Sequence, residues 1–160
     1  MLTVRAVCCE STVSPRSDVP SGAGPPVGPA PGRPVALDRR FDRDGLVPLR
    51  EAVADVAEAL GVPGDRVERV VLVAYELASN AVRHGGGHGR LLLETRDSTL
   101  GCTVIDGGGG FHDPDRAGLV QPSPTALGGR GLWLVRCIAD SVEIRSGAAG
   151  TTAVAQFALR

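Results

Sequence analysis

The chain has 160 residues, enough for one domain with a sizeable core, and a formal net charge of −1. So small a charge argues against nucleic acid or an anionic membrane as a partner. All 17 basic residues are arginine, which excludes Walker A loops, protein-kinase strand lysines and Schiff bases. Four cysteines without a CxxC pair favour a reduced, cytoplasmic protein. No apolar run approaches the roughly 18 residues that span a membrane.

The first part of the chain is predicted to be a disordered tail, residues 1–34. Ser11 to Pro34 is dominated by Pro, Gly, Ser and Ala and has no apolar period. Such a segment cannot bury enough surface to offset its chain entropy. The folded domain is therefore predicted to span residues 35–160.

Apolar periodicity predicts the element order β, α, α, β, β, loop, α, β, β in this domain. Asp44 is the candidate N-cap of the first helix and Gly61 its candidate C-cap, while Asp65 to Glu68 form a candidate capping box. Helices grouped between hairpins predict an α+β fold, a two-layer sandwich whose mixed, mostly antiparallel sheet carries helices on one face. The predicted segments are Val35–Phe41, Leu46–Leu60, Asp65–His84, Arg90–Arg96, Leu100–Asp106, the loop Phe111–Leu127, Gly131–Ala139, Ser141–Ser146 and Thr152–Leu159.

The second helix carries a carboxylate and a carboxamide four residues apart, Glu76 and Asn80. This spacing places them about 40° apart around the helix and about 6 Å apart along it, with Arg83 and His84 in the same sector. An Asn oxygen suits Mg²⁺ beside phosphate oxygens and water, and a Glu can accept a proton from an attacking hydroxyl or water. A solvated helix face has the same pattern, so the helix alone leaves both interpretations open.

Three glycine-rich turns follow that helix. Asp106 precedes Gly107 to Gly110, and its carboxylate could accept a hydrogen bond from an exocyclic amine such as that of adenine; a plain hairpin turn is the alternative. Gly128 to Gly131 opens the third helix, where amides and Arg130 could bind phosphate; the alternative is a flexible loop with an exposed arginine. Gly150 to Thr152, at a strand start, is the weakest of the three signals, because such a motif more often marks a turn than a site.

Taken in order, these motifs resemble the GHKL ATP-binding fold, the Bergerat-type module of gyrase, MutL and sensor histidine kinases. The resemblance rests on Glu-x-x-x-Asn, Asp-x-Gly-x-Gly, Gly-x-Gly and Gly-Thr-Thr, and it covers residues 35–160. Within the superfamily the chain looks most like the anti-sigma factor serine/threonine kinases of actinobacteria, to which Gly129–Val135 is similar.

The resemblance implies a role for each matching residue. Glu76 would be the catalytic base and Asn80 the Mg²⁺ ligand, while Asp106 would bind the adenine amine in a pocket shaped by Gly108 and Gly110. The other nucleotide contacts that it implies are Arg83, Gly129, Arg130, Gly131, Leu132 and Thr152.

The resemblance also implies cofactors and partners. The protein would use ATP and Mg²⁺, bind a sigma factor, phosphorylate a STAS-fold antagonist and form a homodimer through its first helix and strand. A nucleotide-gated binding protein without kinase activity is the alternative. Because a pure binder needs no base, the presence of Glu76 favours the kinase.

Overall fold

The computed structural model describes residues 34–125 and 129–159. The predicted tail, apart from Pro34, lies outside the described residues, as does Gly128 of the third glycine motif. The elements confirm the predicted α+β order, with bounds shifted by a few residues. They are β1 (Val35–Asp42), α1 (Leu46–Ala59), α2 (Gly64–His84), β2 (His88–Arg96), β3 (Thr99–Asp106), α3 (Arg130–Ile138), β4 (Ser141–Gly147) and β5 (Gly150–Ala158).

The sheet has five strands in the order β1-β2-β3-β5-β4, and its four ladders are all antiparallel. β5 lies between β3 and β4, so the chain passes from β3 through α3 to the far edge before it returns to the centre. This order places Asp106, at the end of β3, opposite Thr151 at the start of β5.

The core lies between the three helices and one face of the sheet. Because side chains alternate along a strand, Leu91 and Leu93 of β2 and Cys102 and Val104 of β3 point to the helices, where they are buried. α2 contacts both other helices as well as the sheet, so it buries residues on more than one side. The buried residues of α2 are Val67, Val70, Val71, Val73, Ala74, Leu77, Ala78, Ser79 and Ala81.

The two long helices begin without the predicted side-chain caps. The N-cap of α1 is Gly45, so the assignment of Asp44 was wrong; Asp42 Oδ1 instead accepts the Gly45 amide at 3.0 Å. The C-cap of α1 is Leu60, so the assignment of Gly61 was wrong by one residue; Gly61, with φ +74°, is the residue directly after the C-cap.

A proline directly precedes α2. Its N-cap is Pro63, whose carbonyl accepts the amides of Arg66 at 2.8 Å and Val67 at 2.9 Å. The predicted capping box of Asp65 and Glu68 was therefore wrong, since no side chain caps this helix. Within residues 34–125 and 129–159, no helix is long and apolar enough to cross a membrane.

The edge strand β1 is attached to β2 by an ion pair as well as by the ladder. Arg90 donates through Nε to Asp38 Oδ1 at 2.7 Å and through Nη2 to Asp38 Oδ2 at 2.6 Å. This guanidinium holds the pKa of Asp38 below its ordinary value. The pair is exposed to solvent, so it orients the strand more than it stabilises the fold.

Candidate nucleotide-binding site

Glu76 and Asn80 meet the first turn of α3 at Gly131. A methyl group built on Gly131 would lie 2.8 Å from Glu76 Oε2 and 3.3 and 3.4 Å from Asn80 Nδ2 and Oδ1. Both side chains are half-buried, and neither makes a hydrogen bond within the described part of the chain. The spacing on α2 thus brings a carboxylate and a carboxamide to one point with their polar atoms unengaged.

The backbone at the start of α3 depends on glycine. Gly129, the N-cap, has φ +85°, a left-handed conformation that side chains rarely adopt. Gly131 has no side chain, which permits the close contact with Glu76. The amides of a first helical turn lack intrahelical partners and lie at the positive end of the helix dipole. This turn can therefore bind an anion beside the two side chains of α2.

Arg130 lies at the start of α3, but its guanidinium is engaged with the loop before the helix. Its Nη2 donates to the Pro124 carbonyl at 2.5 Å. The side chain is exposed, so a phosphate at the helix start would compete with this carbonyl for the donor. Leu132, by contrast, is half-buried and packs against the core. Arg83 is exposed near the end of α2 and makes no hydrogen bond or ion pair with the described residues.

Asp106 forms the second part of the site, at the opposite end of the glycine loop from α3. Its Oδ1 accepts the amides of Gly108 at 3.0 Å and Thr151 at 3.2 Å. Gly85, at the end of α2, lies so close that a methyl group there would be 2.3 Å from Asp106 Cγ. Oδ2 has no hydrogen-bond partner among residues 34–125 and 129–159. The carboxylate is held in place with one oxygen left to accept an amine.

Two of the four glycines after Asp106 are required by close packing. A methyl group on Gly108 would lie 2.6 Å from Gly85 Cα, and one on Gly110, whose φ is +66°, would lie 2.3 Å from the Gly147 oxygen. Gly107 and Gly109 meet no atom within 4 Å. The pattern Asp-x-Gly-x-Gly therefore marks the positions where the loop touches α2 and the β4–β5 turn.

The structure places Thr151, and not Thr152, beside Asp106. Thr152 pairs with Ile105 and Arg145, and strand alternation sends its side chain to the face opposite the helices. The hydroxyl of Thr151 lies 2.9 Å from Ser146 Oγ, and its amide binds Asp106. A nucleotide role for Thr152 stays a prediction.

The oxygen donors near Asn80 fit a metal that arrives with phosphate. No group of three or more His, Cys, Asp or Glu side chains within the described ranges could hold a metal ion by itself. Mg²⁺ is commonly bound by one or two protein oxygens together with phosphate oxygens and water. Asn80 Oδ1, beside the first turn of α3, suits that arrangement, with Glu76 next to it.

A groove of about 520 Å³ opens at the same end of the sheet. Arg40, His88 and Arg90 line one part of it, and Asp106 and Gly107 line another. Glu76, Asn80 and Gly131 do not line it. The groove therefore reaches the Asp106 end of the site but is separate from the turn where α2 meets α3.

Residues 40–157 match the histidine kinase-like ATPase domain family. The chain belongs to this family. It is 26% identical over 123 residues to the serine-protein kinase RsbW of Bacillus pumilus (strain SAFR-032), an alignment that covers 68% of this chain and 76% of that protein. The expected GHKL-type family is thereby confirmed, and with it an ATP-binding fold.

Solved structures agree on the fold. The RsbU and RsbW domains of a Mycobacterium tuberculosis protein superpose with a TM-score of 0.57 at 19% identity, over 77% of this chain and 32% of that one. The histidine kinase domain of a blue-light activated histidine kinase from Erythrobacter litoralis gives 0.51 at 21% identity, over 69% of this chain and 61% of that one. This chain thus spans about a third of the first protein and less than two thirds of the second.

Proposed function

We propose that the protein is an ATP- and Mg²⁺-dependent serine/threonine kinase that binds a sigma factor and phosphorylates a STAS-type antagonist. The observation that carries the proposal is the meeting of Glu76 and Asn80 with Gly131 at the start of α3. Identity of 26% to a serine-protein kinase supports the reaction class.

Each end of the site has its own task in this proposal. Asp106 Oδ2 accepts a hydrogen bond from the exocyclic amine of adenine, while Oδ1 keeps its hydrogen bonds from the amides of Gly108 and Thr151. The amides of the first turn of α3 bind the phosphates, and Arg130 turns from Pro124 towards them.

The transfer step needs positioning and a proton acceptor. Asn80, together with the phosphates, would hold Mg²⁺, and this ion would offset the phosphate charge. ATP would supply the γ-phosphoryl group and leave as ADP when its bond between the β- and γ-phosphates breaks. Glu76 orients the hydroxyl of a serine or threonine of the partner and accepts its proton as the phosphoryl group moves to that oxygen. Nothing in this scheme requires a lysine, which the chain lacks.

A homodimer through α1 and β1 belongs to the same proposal. β1 is an edge strand, and Val47 of α1 and Val35 of β1 are 66% and 42% exposed. Apolar side chains at a sheet edge favour association.

Replacement of the base separates a kinase from a protein that only binds nucleotide. We expect Glu76→Gln to keep ATP binding within about threefold, since it keeps shape and a hydrogen-bonding end, and to lower phosphotransfer by about 10²- to 10⁴-fold. The matched control is Glu68→Gln, an exposed glutamate earlier on α2. Labelled ATP and a STAS protein encoded near this gene measure transfer, and calorimetry measures binding.

Asn80→Ala completes this test by removing the Mg²⁺ ligand. We expect ATP binding to lose its dependence on Mg²⁺, because the variant lacks the carboxamide oxygen that Asn80 places beside Gly131. Full transfer by Glu76→Gln would remove the base from the scheme. Tight ATP binding by the wild type, without labelling of any STAS partner, would favour the nucleotide-gated binder.

A further inference from the structure

The loop between β3 and α3 joins the two ends of the site. It leaves the sheet after Asp106 and reaches α3 at Gly129, and its described part, residues 107–125, contains neither helix nor strand. Without regular structure, its course must be fixed by contacts with neighbouring elements. Phe111 provides one such contact, since its amide donates to Ser146 Oγ at 2.9 Å.

Arg136 of α3 provides the contact in the middle of the loop. Its Nε donates to the Ala117 carbonyl at 2.7 Å, and its Nη2 lies 3.3 and 3.4 Å from the carbonyls of Pro114 and Asp115. All three acceptors belong to one turn, which the amides of Arg116 and Ala117 close on the Asp113 carbonyl at 3.0 and 3.2 Å. One guanidinium thus forms hydrogen bonds with three carbonyls of a single turn.

These contacts require the shape of arginine and not only its charge. A guanidinium carries five donors in a planar fork, whereas a lysine ammonium is a compact group on a flexible stem. The acceptors are backbone carbonyls, and Arg136 forms no ion pair with Asp113 or Asp115. Its attachment to the turn is therefore expected to persist at high salt.

The turn held by Arg136 lies against the start of α3. Gly118 has φ +76°, and a methyl group on it would lie 2.6 Å from the carbonyl carbon of Leu132. Leu132 follows Gly131, the residue in contact with Glu76 and Asn80. The chain of contacts runs from Arg136 through the turn and Gly118 to the backbone that carries the site.

We infer that Arg136 is a positioning residue for the nucleotide site, a role that rests on the proposed function. It fixes residues 113–118 against the first turn of α3, so that this turn stays aligned with Glu76 and Asn80. Loss of this guanidinium leaves α3 in place, because Arg69 of α2 holds its other end through the Ile138 carbonyl at 2.9 Å. The site then loosens while the fold is retained.

The experiment uses the full chain with Arg136→Gln and Arg136→Lys. The control is Arg145→Gln, an exposed arginine of β4 whose partner is Glu143. A fluorescent ATP analogue with Mg²⁺ reports the nucleotide dissociation rate by stopped flow. We expect both Arg136 variants to release the analogue about tenfold faster than the wild type, because loss of one charge-assisted hydrogen bond corresponds to a change of that size. The Lys variant is therefore not expected to restore the wild-type release rate.

Trypsin provides a second readout that follows the loop itself. The chain has no lysine, and Arg116 is an exposed cleavage site inside the turn that Arg136 holds. Mass spectrometry of early digests is expected to show faster cleavage after Arg116 in both Arg136 variants than in the wild type or in Arg145→Gln. Circular dichroism checks that each variant is folded. If the Gln variant does not fold, the test rests on the Lys variant.

The outcomes separate this inference from the proposed function. If the wild type binds no nucleotide, the proposed function is overturned and the inference with it. If the wild type binds but the Arg136 variants match Arg145→Gln in release rate, the inference alone is overturned. Faster cleavage after Arg116 with an unchanged release rate also overturns it, because the turn would then be held without positioning the site.

Discussion

Gly131 is the residue at which backbone geometry and site chemistry meet. It stands in the first turn of α3, and any side chain there would reach Glu76 Oε2 and the carboxamide of Asn80. The nearest atoms are the ends of two flexible side chains. These side chains can move aside without unfolding the protein, but the site then loses the alignment of its carboxylate and carboxamide. Alignment of reacting groups tolerates displacement poorly, since a shift of about 1 Å can cost about 10²-fold in rate.

Gly131→Ala is expected to damage activity far more than stability. The added methyl group, 2.8 Å from Glu76 Oε2, displaces the carboxylate and lowers phosphotransfer by about 10²-fold, while the free energy of unfolding changes by less than about 1 kcal/mol. Gly64→Ala is the matched control, because Gly64 opens α2 and has no atom within 4 Å. Denaturant melts and transfer assays on both variants test this, and equal activity of the two would contradict it.

At the level of residues, the sequence predicts what lies on one helix or directly around one turn. The meeting of Glu76 and Asn80 follows from spacing alone, and Asn80 is the only asparagine in the chain. The sequence could not choose Thr151 over Thr152, because that choice depends on the register of β5 against β3. The sequence could not predict the contacts of Arg136 either, because its partners are backbone carbonyls, and any residue type provides a backbone carbonyl.

Among the elements, β3 and α3 place two cysteines in opposite environments. Cys102 lies in the central strand, where burial raises the pKa of its thiol to about 12, whereas Cys137 lies on the exposed side of α3. The thiolate is the reactive form of cysteine. Because the folded pKa of Cys102 lies above the unfolded value of about 8.5, its contribution to stability is complete below that pH and is lost as the pH rises towards 12.

Alkylation is expected to distinguish the two elements. With iodoacetamide at pH 8, peptide mass spectrometry should find Cys137 modified and Cys102 unmodified until denaturant is added. Cys8 and Cys9 lie outside the described residues and are followed separately. Modification of Cys102 at the rate of Cys137 in the native protein would show that β3 opens readily and would contradict the assigned packing.

Element types were predictable from apolar period, but helix starts were not. The buried stripe of α2 and the apolar run of β2 depend on burial, which the pattern of apolar residues in the sequence indicates directly. The first turns of α1 and α2 depend on local backbone contacts, in which Asp42 and Pro63 replaced the expected caps. Several polar residues near a helix start can compete for the same amides, so the sequence alone does not select one.

For the whole molecule, the sheet order was the part that the sequence left undetermined. The insertion of β5 between β3 and β4 brings Asp106 to Thr151 and closes the end of the candidate site that contains Asp106. Strand lengths and turns do not fix which strands become neighbours in the sheet. The family match covers residues 40–157, and the buried core extends from Phe41 to Phe157, so both describe the same folded domain.

Truncation tests whether that unit is sufficient. Removal of residues 1–33 is expected to leave cooperative unfolding, a melting temperature within about 3 °C and ATP affinity within about twofold, because the described core begins at Leu37 and Phe41. Removal of residues 1–43 serves as the contrast, since it deletes β1 and exposes Leu91 and Leu93 of β2 to solvent at a new sheet edge. Calorimetry and nucleotide titration compare the three proteins. Loss of cooperative unfolding in the shorter deletion would move the domain boundary into the first 33 residues, since the core would then need side chains from that segment.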